Sequence, residues 1–376
     1  MSPIKEIQSA GLKWQRVKKY ILSEVAAGRY APGDSLPSEK YLCEQIGVAR
    51  NTVRQAFEEL EREGYIYRVH GKGTFLSQTD RSKTANKARI VGLVVPWIHG
   101  HLYPVLVRGF DDELSTRNYQ TLICQTNNDI GKQGNIILQL LYGQVDSVAI
   151  VPPTTQDTPA FQIESLVKAG IPVVACHRPI PGVKIPTVTW NRENVGRLAG
   201  RLFLEKGHKH IGYFSTGRYM MTEAHIRGLR RELEAAGLEL PESHIVTVPE
   251  ARTPESTAET ENLKKQKVTE LLQSAGRPTA ILCNDDLGAE VVCFVAQRMG
   301  LRVPEDLSVI GFGNSQRDTV FRQAITSVVV DEYQLGRTAS HILSEIKAGK
   351  RPIDDNETII FDVSMYPGST VCEPTL

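Results

Sequence analysis

The stretch "NTVRQAFEELEREGYIYRVHGKGTF", residues 51–75, changes its periodicity and its charge sign along its own length. In its first half Val53, Ala56, Phe57 and Leu60 recur at helical spacing and form one apolar stripe. Arg50, Asn51, Thr52 and Arg54 crowd the start of that helix, whereas Glu58, Glu59, Glu61 and Glu63 follow behind. A helix dipole is positive at its N-terminus, so only the front of this helix suits a polyanion; the acidic rear would be repelled by phosphates. The second half, continued as "YIYRVHGKGTFLS", alternates as strands do. Gly71 and Gly73 bracket a hairpin tip that carries His70 and Lys72.

Upstream, "WQRVKKYILSEVAAG" places Trp14, Val17, Ile21 and Val25 on one helical face and ends at Gly28. The turn-rich "YAPGDSLPSE" leads to Ser38, placed to cap a second helix that carries Lys40, Tyr41, Leu42 and Ile46 and stops at Gly47. A short helix, a tight turn and a polar-fronted helix make a helix-turn-helix, and the hairpin adds a wing. Arginine can fork onto guanine and asparagine onto adenine, so the first turn of the third helix has the side chains of direct base readout.

The 376-residue chain exceeds one ordinary core, and its formal charge of +1 conceals an asymmetry. Residues 1–89 hold 16 Lys+Arg against 10 Asp+Glu, and the remainder 28 against 33, which suggests a nucleic-acid-facing head on an ordinary body. "SQTDRSKTANKAR", residues 77–89, is polar and nearly devoid of apolar side chains, so it reads as a linker between a head at 1–76 and a body at 90–376.

In the body, short β-rich runs such as "RIVGLVVP", "VDSVAIVPP", "IPVVACH", "HIGYFS", "TAILCN" and "LSVIGFG" are separated by helix-length segments. That rhythm predicts parallel βαβ units with both sheet faces covered. Gly170, Gly207, Gly237 and Gly300 stand where the intervening helices should end. The fold class is therefore α/β behind a small winged head.

"LPSEKYLCEQIGVARNTVRQAFEELEREGYIYRVHGKGTF" closely resembles the winged helix-turn-helix of the GntR family of bacterial transcription factors over roughly residues 14–76. The resemblance implies DNA contacts from Lys40, from Arg50, Asn51, Thr52 and Arg54, and from His70 and Gly71 in the wing; Lys72 at the hairpin tip is a further DNA-binding candidate. Ala49 stands where that family usually has Ser or Thr, which removes a helix cap worth about 1 kcal/mol. The body, residues 90–363, looks like the effector domain of the LacI/GalR repressors, itself similar to periplasmic sugar-binding proteins. "AGIPVVACHRP", "GRLAGRLFLEKGHKHIGYFS", "AILCNDDLGAEVV" and "VPEDLSVIGFGNS" arrive in that family's order. A GntR-type head on this body is the layout of the arabinose repressors of Gram-positive bacteria. The resemblance implies two α/β lobes with a small effector, a sugar or sugar derivative, held between them.

Carried over position by position, the effector contacts fall on His177 and Arg178 after one strand, His225 before Gly228 on a helix, Asn284 and Asp285 after another strand, and Asn314 after "GF". His101 and Tyr103 follow the first strand of the body, and Trp190 beside Asn191 could stack on a sugar ring. His177 and His225 replace an acid and an arginine common in that family, which changes the groups a ligand meets, so a common hexose is not to be assumed. A homodimer on two-fold operator DNA follows from paired heads.

Other functions lack their signals. The sequence shows no GxGxxG opening a helix after a strand, no GxSxG and no carboxylate constellation, so neither a catalytic residue nor a cofactor is expected. His99 and His101 read as cleft-lining or exposed side chains and His208 and His210 as solvated or satisfied ones, rather than as metal ligands. Six cysteines without a CxxC fit a reducing cytosol, and no stretch reaches a membrane span. An enzyme or a solute-binding protein on the same doubly wound sheet is the alternative to a cytoplasmic regulator.

Overall fold

A computed structural model describes residues 13–69, 72–77, 89–98, 102–143, 145–154, 156–217, 220–249, 254–313 and 324–375. The head consists of helices α1 (Lys13–Ala26), α2 (Glu39–Ile46) and α3 (Arg50–Arg62) and strands β1 (Ile66–Val69) and β2 (Gly73–Leu76). Its core is the stripe read from the sequence: Val53, Ala56, Phe57 and Leu60 are buried with Val17, Ile21 and Leu42. The Ser38 side chain accepts from the Tyr41 amide and Gly47 adopts the left-handed conformation, so both ends of α2 are fixed by the predicted residues. Ala49 has extended N-cap geometry but no side-chain cap bond, as its methyl requires.

The wing is antiparallel, with Ile66 opposite Leu76 and Val69 opposite Gly73. Ile66 and Leu76 turn into the core, while Tyr67 and Phe75 stack on the other face with ring centroids 5.5 Å apart. The Leu36 amide donates to the Thr74 carbonyl, so the connector before α2 braces the hairpin.

Among the described residues the body builds two six-stranded sheets. The first holds β3 (Ile90–Val95), β4 (Gln120–Gln125), β5 (Ser147–Ile150), β6 (Val173–Cys176), β7 (Thr187–Trp190) and β13 (Thr358–Phe361), in the order β13-β7-β6-β5-β3-β4. Helices α4 (Leu102–Ser115), α5 (Ile130–Tyr142) and α6 (Ala160–Lys168) connect its first strands. The second holds β8 (Ile211–Ser215), β9 (Ile245–Thr247), β10 (Ala280–Cys283), β11 (Ser308–Phe312), β12 (Thr326–Val330) and β14 (Val363–Tyr366), in the order β14-β12-β11-β10-β8-β9. With it run α7 (Arg192–Glu205), α8 (Met220–Ala235), α9 (Pro254–Gln273) and α10 (Asp286–Arg298), whereas α11 (Glu332–Lys347) starts after β12 and lies from Gly336 onward in the unit of the first sheet.

Strands β3 to β6 and β8 to β12 pair in parallel, as their unbroken apolar runs predict, and β14 closes one edge antiparallel to β12. The described residues divide into two compact units, Met1–Ile98 with Phe110–Thr187 and Gly336–Thr358, and His99–Gly109 with Val188–Leu335 and Ile359–Leu376. Gly170, Gly207, Gly237 and Gly300 all have positive φ just past a helix end.

In the second unit, α7 and α8 interlock through glycines. A Cβ on Gly228 would lie 1.9 Å from the Glu193 carbonyl oxygen, and one on Gly196 would lie 1.9 Å from that of His225. Only hydrogen fits there, and the close approach fixes where α8 presents His225. The six cysteines are free thiols.

Candidate DNA-binding face and effector residues

The front of α3 is open to solvent. Arg50, Asn51, Arg54 and Lys40 are exposed, Thr52 is half-buried, and Lys72 is exposed on the wing. His70 and Gly71 lie outside the described residues. Arg50, Asn51 and Arg54 face solvent because α3 turns its apolar stripe inward.

One acidic residue that the sequence reading passed over organises this face. Glu39, the first residue of α2, accepts from Arg50 Nε at 2.7 Å and from Arg54 Nε at 3.1 Å. Burial pushes the Glu39 carboxyl up, but the hydrogen bonds and charges of the two arginines outweigh it and leave the group below the usual carboxylate range. The guanidiniums remain largely accessible, with side chains 67% and 49% exposed against 21% for the carboxylate between them. Glu39 therefore aligns two cations without covering them. The glutamates behind them on α3 pair elsewhere, Glu59 with Arg62 and Glu61 with Arg68.

In the first unit the candidate effector residues gather at carboxyl ends of strands. His177, just past β6, is 3% exposed and has φ of 68°, a left-handed conformation that a non-glycine residue adopts only under strain. The Arg178 amide donates back to the Cys176 carbonyl at 2.9 Å, closing a tight turn around His177. Arg178 Nε donates to the Pro152 carbonyl past β5, also at 2.9 Å. Strained backbone of this kind concentrates at ligand sites. Nearby in the same layer, Asn128 past β4 and Thr154 past β5 exchange two bonds of 2.7 Å, a tie that sequence spacing could not have suggested.

In the second unit Trp190, Phe312 and His225 are drawn together. Trp190 stacks on Phe312 with centroids 5.9 Å apart, and the His225 ring meets Phe312 edge-on at 5.6 Å. Arg192 lies over the Trp190 ring, 5.5 Å from its centroid. His225 is wholly buried, and its Nδ1 is 3.2 Å from the Tyr213 hydroxyl. Its Nε2 has no hydrogen-bond partner among the described residues. Burial, helped by the Arg192 charge, lowers its pKa to about 3, so the ring is neutral where a family arginine would carry a charge.

Asn284 and Asp285 form a second cluster. Asn284 Oδ1 accepts from the Thr216 amide at 3.1 Å and its Nδ2 donates to Asp285 Oδ2 at 3.1 Å. Asp285 Oδ1 accepts from the Gly288 amide at 2.6 Å, capping α10, so part of this carboxylate is structural. Tyr103, in the first turn of α4, is 7% exposed. His101 and Asn314 lie outside the described residues.

Among the described residues no group of His, Cys, Asp and Glu gathers to hold a metal ion. His208 is a satisfied core side chain, bonded to Thr279 Oγ1 through Nδ1 and to Ser308 Oγ and the Cys372 carbonyl through Nε2. No described helix is long and apolar enough to cross a membrane.

A winged head with an open basic reading edge, carried on two parallel sheets whose strand ends collect buried polar and aromatic groups, defines a DNA-binding regulator with a periplasmic-binding-protein-like body. Known proteins agree. The profile of bacterial regulatory proteins of the gntR family matches residues 13–76, and that of the periplasmic binding protein-like domain matches residues 201–370. The arabinose metabolism transcriptional repressor of Geobacillus stearothermophilus is 27% identical over 93% of this chain and 94% of its own length. Its counterpart in Halalkalibacterium halodurans is 26% identical over 96% and 97%. A solved LacI family transcriptional regulator from Enterococcus faecium, with bound ribose, superposes with a TM-score of 0.64 at 22% identity, covering 76% of this chain and 99% of its own. The chain thus joins a gntR-type head to a periplasmic-binding-protein-like domain, and its similarity to the two arabinose metabolism repressors runs along nearly its whole length.

Proposed function

We propose that this protein is a cytoplasmic transcriptional repressor, binding operator DNA as a homodimer and controlled by a small sugar or sugar derivative. The observation that carries the reading is the solvent-open row of Arg50, Asn51 and Arg54 on α3, its two arginines tied to Glu39. Arg50, Asn51 and Arg54 read base edges, whereas Lys40, Thr52 and the wing residues His70, Gly71 and Lys72 hold phosphates and set the register. The head extends to residue 76, residues 77–89 link it to the body, and residues 90–376 take the effector and form the dimer.

The effector residues are His101, Tyr103, His177, Arg178, Trp190, His225, Asn284, Asp285 and Asn314. The strained turn at His177 and the unsatisfied, uncharged Nε2 of His225 support this assignment, since a buried polar atom without a partner is one that a ligand hydroxyl can satisfy. The class of effector is supported by relatives named for arabinose metabolism and by the ribose held in the solved neighbour. The protein performs no catalysis and needs no cofactor: its output is a change in operator affinity, which requires that the effector bind the DNA-competent and incompetent states unequally.

The test is a direct one. Duplexes enriched by the protein from a random pool are titrated with parent and Arg54→Ala protein, with and without pentoses. Selective, salt-sensitive binding by the parent, weakened in the variant and shifted by one pentose, supports the reading. No enrichment of any duplex sequence would exclude it.

A further inference from the structure

The head does not stop at its own core. Leu138, on the body helix α5, is buried within the same apolar cluster as Val25, Phe57 and Leu76, and Tyr142 packs against that cluster. The Tyr142 ring meets Tyr65 edge-on with centroids 4.9 Å apart, and its hydroxyl points to the Ser77 carbonyl at 3.4 Å. On α6, Phe161 lies under the chain reversal at Gly28, where even a Cβ would come within 3.1 Å of the ring. The two platform helices are locked together by Gln133, whose amide donates to Gln162 Oε1 at 2.9 Å and to Thr158 Oγ1 at 3.1 Å. The seam is imperfect, since a mostly apolar cavity of about 150 Å³ remains, walled by Val25, Gly28, Tyr30, Leu138, Tyr142 and Phe161.

The position of α5 gives this contact a consequence. Its N-terminus, capped by Asp129, follows the Asn128–Thr154 tie at the carboxyl ends of β4 and β5, on the side where the effector is proposed to bind. Its C-terminal turns, with Leu138 and Tyr142, carry the head. A helix of this length moves as one body, so a shift at one end reaches the other. Docking also leaves Arg50, Asn51, Arg54 and Lys72 exposed, so it restricts the head without covering its reading edge.

The geometry points to α5 and α6 as a docking platform that pre-orients the winged head for its operator, and to α5 as the element through which effector occupancy loosens or tightens that docking. The inference rests on the proposed function for its output but not for the contact itself. A head held in place loses less freedom on meeting DNA, and a site competent only when docked has its affinity scaled by the docked fraction. A seam that keeps a groove partly open to solvent, rather than a closed core, suits a contact that opens.

The experiment compares the full-length parent with Tyr142→Ala and with Phe161→Ala, the second side chain being partly exposed and so the safer change for folding. Amide hydrogen exchange is followed over residues 13–77 and 134–142, and affinity for a duplex selected by the parent is measured with and without pentose. The expected result is faster exchange in α1, the wing and the end of α5. Operator affinity falls about tenfold while pentose binding is kept, and the pentose-dependent change in operator affinity shrinks. Exchange and operator affinity equal to the parent's in both variants, or tighter operator binding, would overturn it. If the parent selects no duplex, the proposed function fails, and unchanged exchange in the variants would still refute the docking.

Discussion

The reading edge of the head and the strand ends of the body solve opposite problems. On α3 the proposed DNA contacts stand in water: Arg50 and Arg54 reach outward, share one carboxylate, and owe their direction to helix phase. At the strand ends they are buried: His177 sits in a strained turn and His225 is enclosed by Tyr213 and Phe312. DNA contacts must be long, charged and exposed, because phosphates and base edges are met from outside. Effector contacts must be short and dry, because selectivity among similar polyols comes from leaving the wrong ligand's partners unpaired. The first kind of site tolerates local changes that the second does not, and four expectations probe that difference.

The largest effect is expected where the body's framework has no slack. Gly228→Ala forces a Cβ to within 1.9 Å of the Glu193 carbonyl oxygen, so α7 and α8 must separate. Such overpacking against backbone costs about 3 kcal/mol or more, read as a lowered midpoint in denaturant, with loss of pentose binding. A variant as stable as the parent would break the claim that these glycines position His225.

Next comes the head. Arg54→Ala should weaken operator binding by about 1–3 kcal/mol, measured by fluorescence anisotropy, with stability and pentose binding kept. Glu39→Ala sharpens the point, because it frees both arginines: if alignment by Glu39 matters, specificity for the selected duplex falls more than affinity for random DNA.

A third effect concerns pH. His225 is neutral in the fold with a pKa near 3, against an ordinary value of 6.5. As pH falls through 6.5 the unfolded chain gains a proton that the folded chain refuses, so stability is full above pH 7 and declines from there toward pH 3. Between pH 6.5 and 5 the loss from this group is about 2 kcal/mol. Denaturant midpoints at several pH values should show a shallower decline for His225→Gln; identical slopes would place a proton acceptor beside His225 that the structure does not show. The smallest effect is Ala49→Ser, which supplies the missing cap on α3 and should raise stability of the head by about 1 kcal/mol.

The same contrast explains what the sequence could and could not disclose. The apolar stripe of α3, the Ser38 cap, the Gly47 stop and the parallel strands β3, β5, β6, β8, β10 and β11 were all readable, because period and punctuation are local. Short strands such as β7, β9 and β14 were not, since their pairing partners come from distant segments and their own patterns are weak. Glu39 was legible only as a first-turn acid; its two arginines lie 11 and 15 residues away on another helix. The Trp190–Phe312–His225 stack joins three segments far apart in sequence. The resemblance supplied His225 and His177, but the neutrality of His225 and the strain at His177 belong to the fold.

The most direct measurement is the affinity of the purified protein for a duplex it has itself enriched, taken across a salt series with and without a saturating pentose. The account predicts binding that falls steeply as salt rises and that one pentose changes by tenfold or more through the body, an effect lost in His225→Ala while binding without pentose persists. Operator affinity that stays the same whatever sugar is present would contradict it.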